Sequence, residues 1–289
     1  MKQAIQNKFV ASALKGRMVE CPACGQETHA LNLQAPRRGT WCYFFDKFGR
    51  YWRTGKVEYS VFVKGNKKLP FWAFSSLPAF GCPGAGDCLN WCYSFKAWRY
   101  PAAFFRQLQN ALLLQSEQGR QQIADRWAKL PKGKTVRLYV DGDHDSMATM
   151  KFWWSLLWDR VDLRVYGYSK SWALFLAYAK TGQAFPANYK LNLSSGSKYG
   201  EAIKRQMLDL DIVRGEFVAV DMSRSDFHKA PDKRKDPAIF AAFAKAVKQY
   251  AGKGKAFVCP GKCYDCLPKG EHACGSAKFQ NIPVLIAVH

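Results

Sequence analysis

From Leu69 onward, short apolar runs alternate with segments of helical periodicity, and this alternation limits the folds that the chain can adopt. The apolar runs predict β-strands at 71–77, 136–140, 163–168, 189–193, 217–221 and 284–288. The segments between them predict helices at 102–116, 121–129, 147–158, 171–180, 199–208 and 237–250. Such alternation favours an α/β fold with a parallel sheet, either open and doubly wound or curled into a partial (β/α) barrel. In both folds, functional residues collect at the carboxyl ends of the strands.

The first 66 residues have a different character from the rest of the chain. Aromatic, alternating stretches at 41–45, 51–53 and 57–63 predict short antiparallel strands with glycine turns between them. The sequence therefore predicts three units: a β-rich N-terminal extension over 1–66, a barrel-like core over 67–255, and a Cys-rich tail with a final strand over 256–289.

Ten cysteines fall into three tight groups. They are the N-terminal Cys group (Cys21, Cys24 and Cys42), the Cys triad (Cys82, Cys88 and Cys92) and the tail Cys group (Cys259, Cys263, Cys266 and Cys274). Short spacers let thiolates converge on one metal centre at low entropic cost, whereas disulfides need no such grouping. No apolar segment of the signal-peptide type is found near the first residue, so we expect a reducing cytoplasm. In that compartment, grouped cysteines indicate metal binding.

The Cys triad lies in a Gly-rich loop that begins shortly after the first predicted strand of the core. Three thiolates leave a four-coordinate centre one ligand short. Either a distant Cys or His completes a zinc knuckle, or one iron of a 4Fe-4S cluster stays open for a substrate or cofactor. The position after a barrel-type strand favours the iron-sulfur interpretation.

The other two groups predict sites of a more structural kind. The tail Cys group supplies four thiolates, enough to complete a site alone, as an auxiliary cluster or a structural zinc site. In the N-terminal group, Cys21 and Cys24 form a half-site that Cys42, His29 or another group would complete. This pattern predicts a small zinc ribbon that stabilises the fold.

The charge balance predicts the class of partner. The chain has 44 Lys and Arg against 22 Asp and Glu, a formal charge of +22. An excess of this size indicates nucleic acid as a partner, because a basic surface binds phosphates with release of counterions. No apolar run approaches the roughly 18 residues of a transmembrane helix, so we expect no membrane span.

Polar residues after three of the predicted strands are further candidates. Asp141 and Asp143 lie on a turn where they could perform acid-base work or bind a divalent metal, and an Asp-Gly turn with helix capping explains them equally well. Lys170 follows an aromatic strand and could clamp a nucleotide base. The loop that starts at Asn192 could cradle a phosphate or carboxylate through Ser194 and Ser195, or be a plain loop.

Several motifs resemble the gene-product-88 domain family of phage and plasmid proteins. They are the stretch 77–85 with its Gly-Cys-Pro-Gly-Ala sequence, Cys88, the Cys-Tyr pair at 92–93, Arg-Tyr-Pro at 99–101, the strand and acidic turn at 136–143, and Tyr-Gly-Tyr-Ser-Lys-Ser at 166–171. The resemblance covers roughly residues 69–274, with Ser169 where the family has Thr. It implies an origin in a mobile genetic element, and hence a bacterial host cytoplasm, without specifying a reaction.

The same landmarks resemble a divergent radical S-adenosylmethionine barrel. Such enzymes carry a Cys triad after the first strand and an aromatic residue, here Trp91, just before its last Cys. Their Gly-Gly-Glu turn, which holds the amino group of S-adenosylmethionine, corresponds to the turn that ends at Asp143. The C-x5-C-x3-C spacing of the triad departs from their C-x3-C-x2-C pattern.

Together these features predict an iron-sulfur protein that binds or modifies nucleic acid, by radical chemistry if it is catalytic. Asp143, Asp141 and Lys170 are then the candidate catalytic residues, and Asp143, Asn192, Ser194 and Ser195 the candidate cofactor-binding residues. Two alternatives stay open: a non-enzymatic, metal-stabilised protein that binds DNA or interferes with host or plasmid functions, and a metal-dependent nuclease that uses Asp141, Asp143 and Asp221.

Overall fold

The structure is a computed structural model that describes residues 3–17, 20–25, 39–66, 69–220, 256–260 and 272–287, with residues 245, 248, 263 and 266. Its strands are β1 (Phe62–Lys64), β2 (Trp72–Phe74), β3 (Thr135–Leu138), β4 (Arg164–Ser169), β5 (Tyr189–Ser194), β6 (Val213–Val220), β7 (Phe257–Val258) and β8 (Val284–Ala287). Its α-helices are α1 (Gln3–Leu14), α2 (Trp41–Thr54), α3 (Pro101–Leu114), α4 (Glu117–Ala128), α5 (Met147–Asp159), α6 (Trp172–Ala179) and α7 (Glu201–Leu208).

The eight strands form one sheet in the order β1-β2-β3-β4-β5-β6-β8-β7. β1 pairs antiparallel with β2, and all other neighbours are parallel. The predicted α/β fold with a parallel sheet is therefore confirmed. Over the described residues the sheet is open, with β1 and β7 as its edges. The predicted helix at 237–250 and Asp221 lie outside the described residues, apart from the helical residues 245 and 248.

The prediction of strands at 41–45 and 51–53 was wrong, because this segment forms helix α2. Its buried residues Phe45, Phe48 and Tyr51 recur at a helical spacing. The Thr40 hydroxyl accepts a hydrogen bond from the Tyr43 N–H, which caps the helix, and Gly55 ends it at φ 67°. Clustered aromatic residues suggested alternation, whereas the caps and the tertiary packing select a helix. The described part of the first 66 residues thus holds two helices and the edge strand β1.

The N-terminal helices share their core with the rest of the chain. Phe9 of α1 packs edge-on against Phe45 and Phe48 of α2, with ring centroids 6.1 and 6.2 Å apart. Phe9 also contacts Phe104 and Phe105 of α3 at 6.0 and 5.9 Å. This aromatic core continues across the predicted boundary at residue 66.

The two faces of the sheet differ in chemistry because side chains alternate along each strand. On one face, apolar residues such as Val136, Leu138 and Leu191 belong to the main core. The alternate positions are polar, cationic or tyrosine, and they are Arg137 in β3, Arg164, Tyr166 and Tyr168 in β4, and Lys190, Asn192 and Ser194 in β5. We call this second face the polar face of the sheet. The tail segment packs against it, since the ring centroids of His272 and Tyr166 are 4.4 Å apart.

Candidate metal and cofactor site

A cavity at the carboxyl ends of β2, β3, β4 and β5 brings together many of the predicted residues. It is called the Cys cavity here. Its lining includes Cys82, Cys88, Trp91, Cys92, Tyr93, Arg137, Asp143, Lys170 and Ser194. These residues come from loops far apart in sequence, which meet because parallel strands end at the same edge of the sheet.

Backbone contacts hold the triad loop on the sheet. A Cβ built on Gly84 would lie 1.7 Å from the Lys170 carbonyl oxygen, so only glycine fits there. The Gly86 and Cys88 N–H groups both donate to the Gly196 carbonyl, at 3.0 and 3.3 Å, and Gly196 itself has φ 75°. The loop after β5 therefore packs against the triad loop. The left-handed conformation of Gly196 belongs to this contact.

Of the three triad cysteines, Cys88 is buried and Cys82 and Cys92 are partly buried. Burial raises the pKa of Cys82 and Cys88, and the nearby Lys170 ammonium partly offsets the effect. Asp143 raises the pKa of Cys82 further. The thiols of Cys82 and Cys88 are therefore less acidic than a free cysteine, and a bound cation would favour their thiolate forms.

The Cys cavity brings together Asp143, Lys170 and Ser194, of which Asp143 and Ser194 were cofactor-binding candidates and Asp143 and Lys170 catalytic candidates in the sequence analysis. The two carboxylate oxygens of Asp143 accept the backbone N–H groups of His144 and Lys170, both at 2.7 Å. The Lys170 Nζ donates to the Ser194 Oγ at 2.7 Å. Burial raises the pKa of Asp143, and the Lys170 N–H is the first of the contacts that lower it. A side-chain hydrogen bond from Ser169 also lowers the pKa of Asp143, so the carboxylate is held by three contacts.

The other predicted polar residues lie outside the lining of the Cys cavity. Asp141 is buried, and its Oδ2 accepts a hydrogen bond from the Gln107 Nε2 at 2.9 Å. Asn192 donates to the Cys274 carbonyl at 2.9 Å and accepts from the Arg214 Nε at 2.8 Å, so it anchors the tail segment. The Ser195 Oγ accepts the Ala219 N–H at 2.8 Å. These contacts give all three a structural role in the described part of the chain.

His144, on the same turn as Asp143, is only 1% exposed. Its ring lies 4.8 Å from Tyr139, 5.5 Å from Trp154 and 5.3 Å from Phe175, measured between ring centroids. Burial lowers the pKa of His144 to about 3. The imidazole is therefore neutral and belongs to the core.

Arg137 and Tyr93 are cavity residues that the sequence reasoning missed. The Arg137 Nη2 donates to the Tyr93 hydroxyl at 3.3 Å, and its guanidinium carbon lies 4.5 Å from the Tyr168 ring centroid. Arg137 lies between the apolar residues Val136 and Leu138 of a predicted strand, and a cation at this alternate position was the available signal. It contributes a second cation beside Lys170.

Backbone strain is concentrated at this cavity. Ala79 and Tyr139 have φ values of 60° and 55°, a region that non-glycine residues rarely adopt. Both line the Cys cavity. The surrounding contacts therefore hold Ala79 and Tyr139 in these unfavourable conformations, in which both residues form part of the cavity wall.

The N-terminal Cys group is compact. The sulfurs of Cys21, Cys24 and Cys42 all lie within 4.8 Å of one another, and Cys42 is at the start of α2. Burial raises the pKa of Cys21 to about 12. The group could hold a metal ion, which would deprotonate the thiols on binding. His29, an alternative ligand in the sequence analysis, lies outside the described residues.

The tail Cys group is seated on the polar face of the sheet. Cys263 interacts with Tyr166 by a side-chain hydrogen bond, and Cys274 interacts in the same way with Tyr168. Cys263 and Cys274 are both within electrostatic range of Cys259. Because Tyr168 also lines the Cys cavity, its side chain contacts both Cys274 of the tail group and the cavity of the triad.

The fold and the site define an α/β protein with a thiol-lined cavity at the carboxyl edge of a mainly parallel sheet. The chain belongs to the Gene product 88 family, which matches residues 52–280, so the predicted membership is confirmed. No curated protein and no solved structure matched the chain. Within the described ranges, none of the helices has the length and apolar composition needed to cross a bilayer.

Proposed function

We propose that this protein is an iron-sulfur protein of a phage or plasmid that binds S-adenosylmethionine at the Cys triad and acts on nucleic acid. One observation carries the proposal: the three triad cysteines, Asp143 and Lys170 line a single cavity. The three thiols suit a cluster with one open iron, and the carboxylate and the ammonium group suit a zwitterionic ligand bound beside it.

The spacing of the sulfurs supports a cluster on the triad. Among the described residues, Cys21, Cys24 and Cys42 form the three-residue group that meets the 4.8 Å spacing of a single ion. The sulfurs of Cys82, Cys88 and Cys92 are more widely spread, although all three face one cavity. Thiolates that bind three different irons of a cubane lie further apart than ligands of one ion. The triad therefore fits a cluster better than a lone zinc ion.

The polar residues of the Cys cavity support an amino acid ligand. Asp143 offers a carboxylate suited to an ammonium group, and Lys170 and Arg137 offer cations suited to a carboxylate. The methionine part of S-adenosylmethionine carries both groups. A cluster held by Cys82, Cys88 and Cys92 would supply the electron for cleavage of such a ligand, and Asp143, Lys170 and Arg137 would hold and orient it.

The order of the strands supports a partial barrel. Strands β2 to β6 are neighbours in chain order, and at least one helix lies between each consecutive pair, as in (β/α) barrels. The curvature of such a sheet would make its polar face concave and place the Cys cavity at the carboxyl mouth.

Charge and exposed rings support nucleic acid as the substrate or partner. The protein carries a formal charge of +22. Phe80, Tyr93 and Tyr100 are 41%, 48% and 68% exposed. Phe80 lies just before the triad loop, Tyr93 at its end and Tyr100 after it. Exposed rings beside cationic side chains stack on bases of single strands. Tyr93 links this surface to the Cys cavity, because it also lines the cavity.

A non-enzymatic, metal-stabilised nucleic-acid-binding protein is the second candidate. The compact N-terminal Cys group favours it, because three close thiols suit a structural ion. The nuclease alternative keeps only its sequence support: Asp141 is hydrogen-bonded to Gln107, and Asp221 lies outside the described residues.

Anaerobic purification with iron, sulfide and zinc analysis tests the cluster. We expect brown protein with iron and sulfide, and loss of part of both in Cys82→Ser and Cys88→Ser. Cys24→Ser, in the N-terminal group, is the matched control and should keep the absorbance of the triad cluster. A colourless protein that carries only zinc would overturn the cluster proposal.

Two further measurements separate enzyme from binder. Dithionite-reduced protein should cleave S-adenosylmethionine, and Asp143→Asn and Lys170→Met should weaken its binding while the iron content is retained. Failure of cleavage in iron-loaded protein would remove the radical mechanism and leave the binding protein. Affinity for an oligonucleotide should fall steeply with salt, and absence of binding at low salt would refute the nucleic acid proposal.

A further inference from the structure

A second cavity lies at the opposite end of the sheet from the Cys cavity, where β3, β4 and β5 begin. We call it the amino-end cavity, and its volume is about 280 Å³. Its lining includes Thr135, Arg164, Tyr166, Lys190, His272 and Ser276. None of the cysteines and none of the residues proposed above to hold S-adenosylmethionine takes part. The cavity is therefore a separate site.

The cavity is cationic. Arg164 and Lys190 border it, and none of the described residues that line it is acidic. Neither cation makes a salt bridge with a residue of the described ranges. Two cations that share a concave site without a counter-charge repel each other, and an anion between them would relieve the repulsion.

The sheet register holds the polar groups side by side. Thr135 lies opposite Arg164 across the β3-β4 pair, and Tyr166 lies opposite Lys190 across the β4-β5 pair. The three side chains Thr135, Arg164 and Lys190 thus come from adjacent strands of a rigid sheet. The Ser276 Oγ accepts the Lys278 N–H at 3.3 Å, which leaves its own proton free to be donated.

The tail segment forms a fixed wall of the cavity. The His272 ring lies 4.7 Å from the Phe71 ring and 4.4 Å from the Tyr166 ring, measured between centroids. A Cβ on Gly275 would lie 2.3 Å from the His272 imidazole, so the backbone can approach the ring this closely only at a glycine. This packing holds the backbone of Ser276 at the cavity.

We propose that the amino-end cavity binds a phosphate group. A guanidinium, an ammonium and two hydroxyls make up the donor set that recognises phosphate oxygens, with the guanidinium able to form two parallel hydrogen bonds. The volume leaves room for more than the phosphate alone, so the ligand is a phosphate that belongs to a nucleotide or to the backbone of a nucleic acid.

Calorimetric titration of the full-length, metal-loaded protein with inorganic phosphate and pyrophosphate at low salt tests the site. Arg164→Gln and Lys190→Gln should each weaken binding by about tenfold or more, as expected for loss of a charge-assisted hydrogen bond. Lys151→Gln removes the same charge from an exposed position on α5 and should leave the affinity unchanged. The melting temperatures of the variants show whether each one is folded.

Competition identifies the source of the phosphate. If adenosine monophosphate displaces pyrophosphate more strongly than a short single-stranded oligonucleotide does, the ligand is a nucleotide; the reverse order assigns the cavity to a nucleic acid backbone. The proposal is overturned if phosphate binding is not saturable, or if Lys151→Gln weakens it as much as Arg164→Gln does. Neither result depends on iron or on S-adenosylmethionine.

Discussion

Gly84 and Lys170 are in direct backbone contact, since a Cβ on Gly84 would lie 1.7 Å from the Lys170 carbonyl oxygen. The contact joins the loop of the Cys triad to the end of β4. The Ser197 hydroxyl lies 3.2 Å from the Gly84 carbonyl and 3.1 Å from the Lys170 carbonyl, so it holds the same junction. The triad loop can therefore sit this close to the end of β4 only because residue 84 is a glycine and has no Cβ.

Replacement of Gly84 should displace the triad loop. Gly84→Ala places a methyl group where the Lys170 backbone lies, and we expect a loss of about 1–3 kcal/mol in the free energy of unfolding. The metal content of the triad should fall with it. Urea unfolding and metal analysis measure both effects.

Gly200→Ala is the matched control for this substitution. A Cβ there meets no atom within 4 Å, and Gly200 has φ −80°, so the cost should stay below about 1 kcal/mol. Equal metal loss in the two variants would contradict the role assigned to the Gly84 contact.

Asn192 should control the exposure of Cys274. Asn192→Ala removes the hydrogen bond to the Cys274 carbonyl and leaves the buried Arg214 Nε without its acceptor, at a cost of about 3 kcal/mol. In metal-free protein, alkylation of Cys274 should become faster, as mapped by mass spectrometry. Asn188→Ala removes three hydrogen bonds, to the carbonyls of Leu157, Arg160 and Leu163 and none to the tail, and should leave the rate at Cys274 unchanged.

Stability should fall at acidic pH partly because of His144. Burial lowers the pKa of His144 to about 3 in the folded protein, against 6.5 when exposed. Above 6.5 the imidazole is neutral in both states; below it, only the unfolded chain takes up the proton. This residue alone should reduce stability by up to about 1.4 kcal/mol per pH unit as the pH falls from 6.5 toward 3.

His144→Leu isolates this contribution. The variant will differ from the parent at pH 7 through packing alone, whereas its stability should decline less steeply below pH 6.5. Urea unfolding at several pH values gives both slopes. Parallel curves for the two proteins would show that His144 is not the titrating group.

The N-terminal Cys group should account for a metal ion of its own. The Cys42 sulfur lies 3.9 Å from the Cys21 sulfur and 3.8 Å from the Cys24 sulfur, so Cys42→Ser should remove one metal equivalent per chain. It should also lower the melting temperature, since metal binding stabilises the folded state. Asp46→Asn, which changes a charge near Cys42 on the same helix, should retain the metal.

The central strands show how far the sequence pattern reaches. The predicted strands at 136–140, 163–168 and 189–193 differ from β3, β4 and β5 by at most two residues at either end, because each is a short β-rich run bounded by turns. Helix α2 was missed because its aromatic residues suit a strand as well as a helix. Its packing against Phe9 and Phe105 decides between them.

The sequence indicated which kinds of residue form the candidate site, but only some of the particular residues that line the Cys cavity. Cys82, Cys88 and Cys92 stand out by spacing, and Asp143 and Lys170 by their places after strands. Arg137 carried no motif, and Asp141 was indistinguishable from Asp143 although its carboxylate is held by Gln107.

Strand alternation, the grouping of the cysteines and the excess of positive charge can all be read from the chain, because each depends on near neighbours or on composition. The meeting of Lys170 with Ser194, the seating of the triad loop on Gly196, and the two cavities at opposite ends of the sheet could not. They depend on which strands lie side by side and on which loops pack together, and those long-range contacts exist only once the sheet has formed.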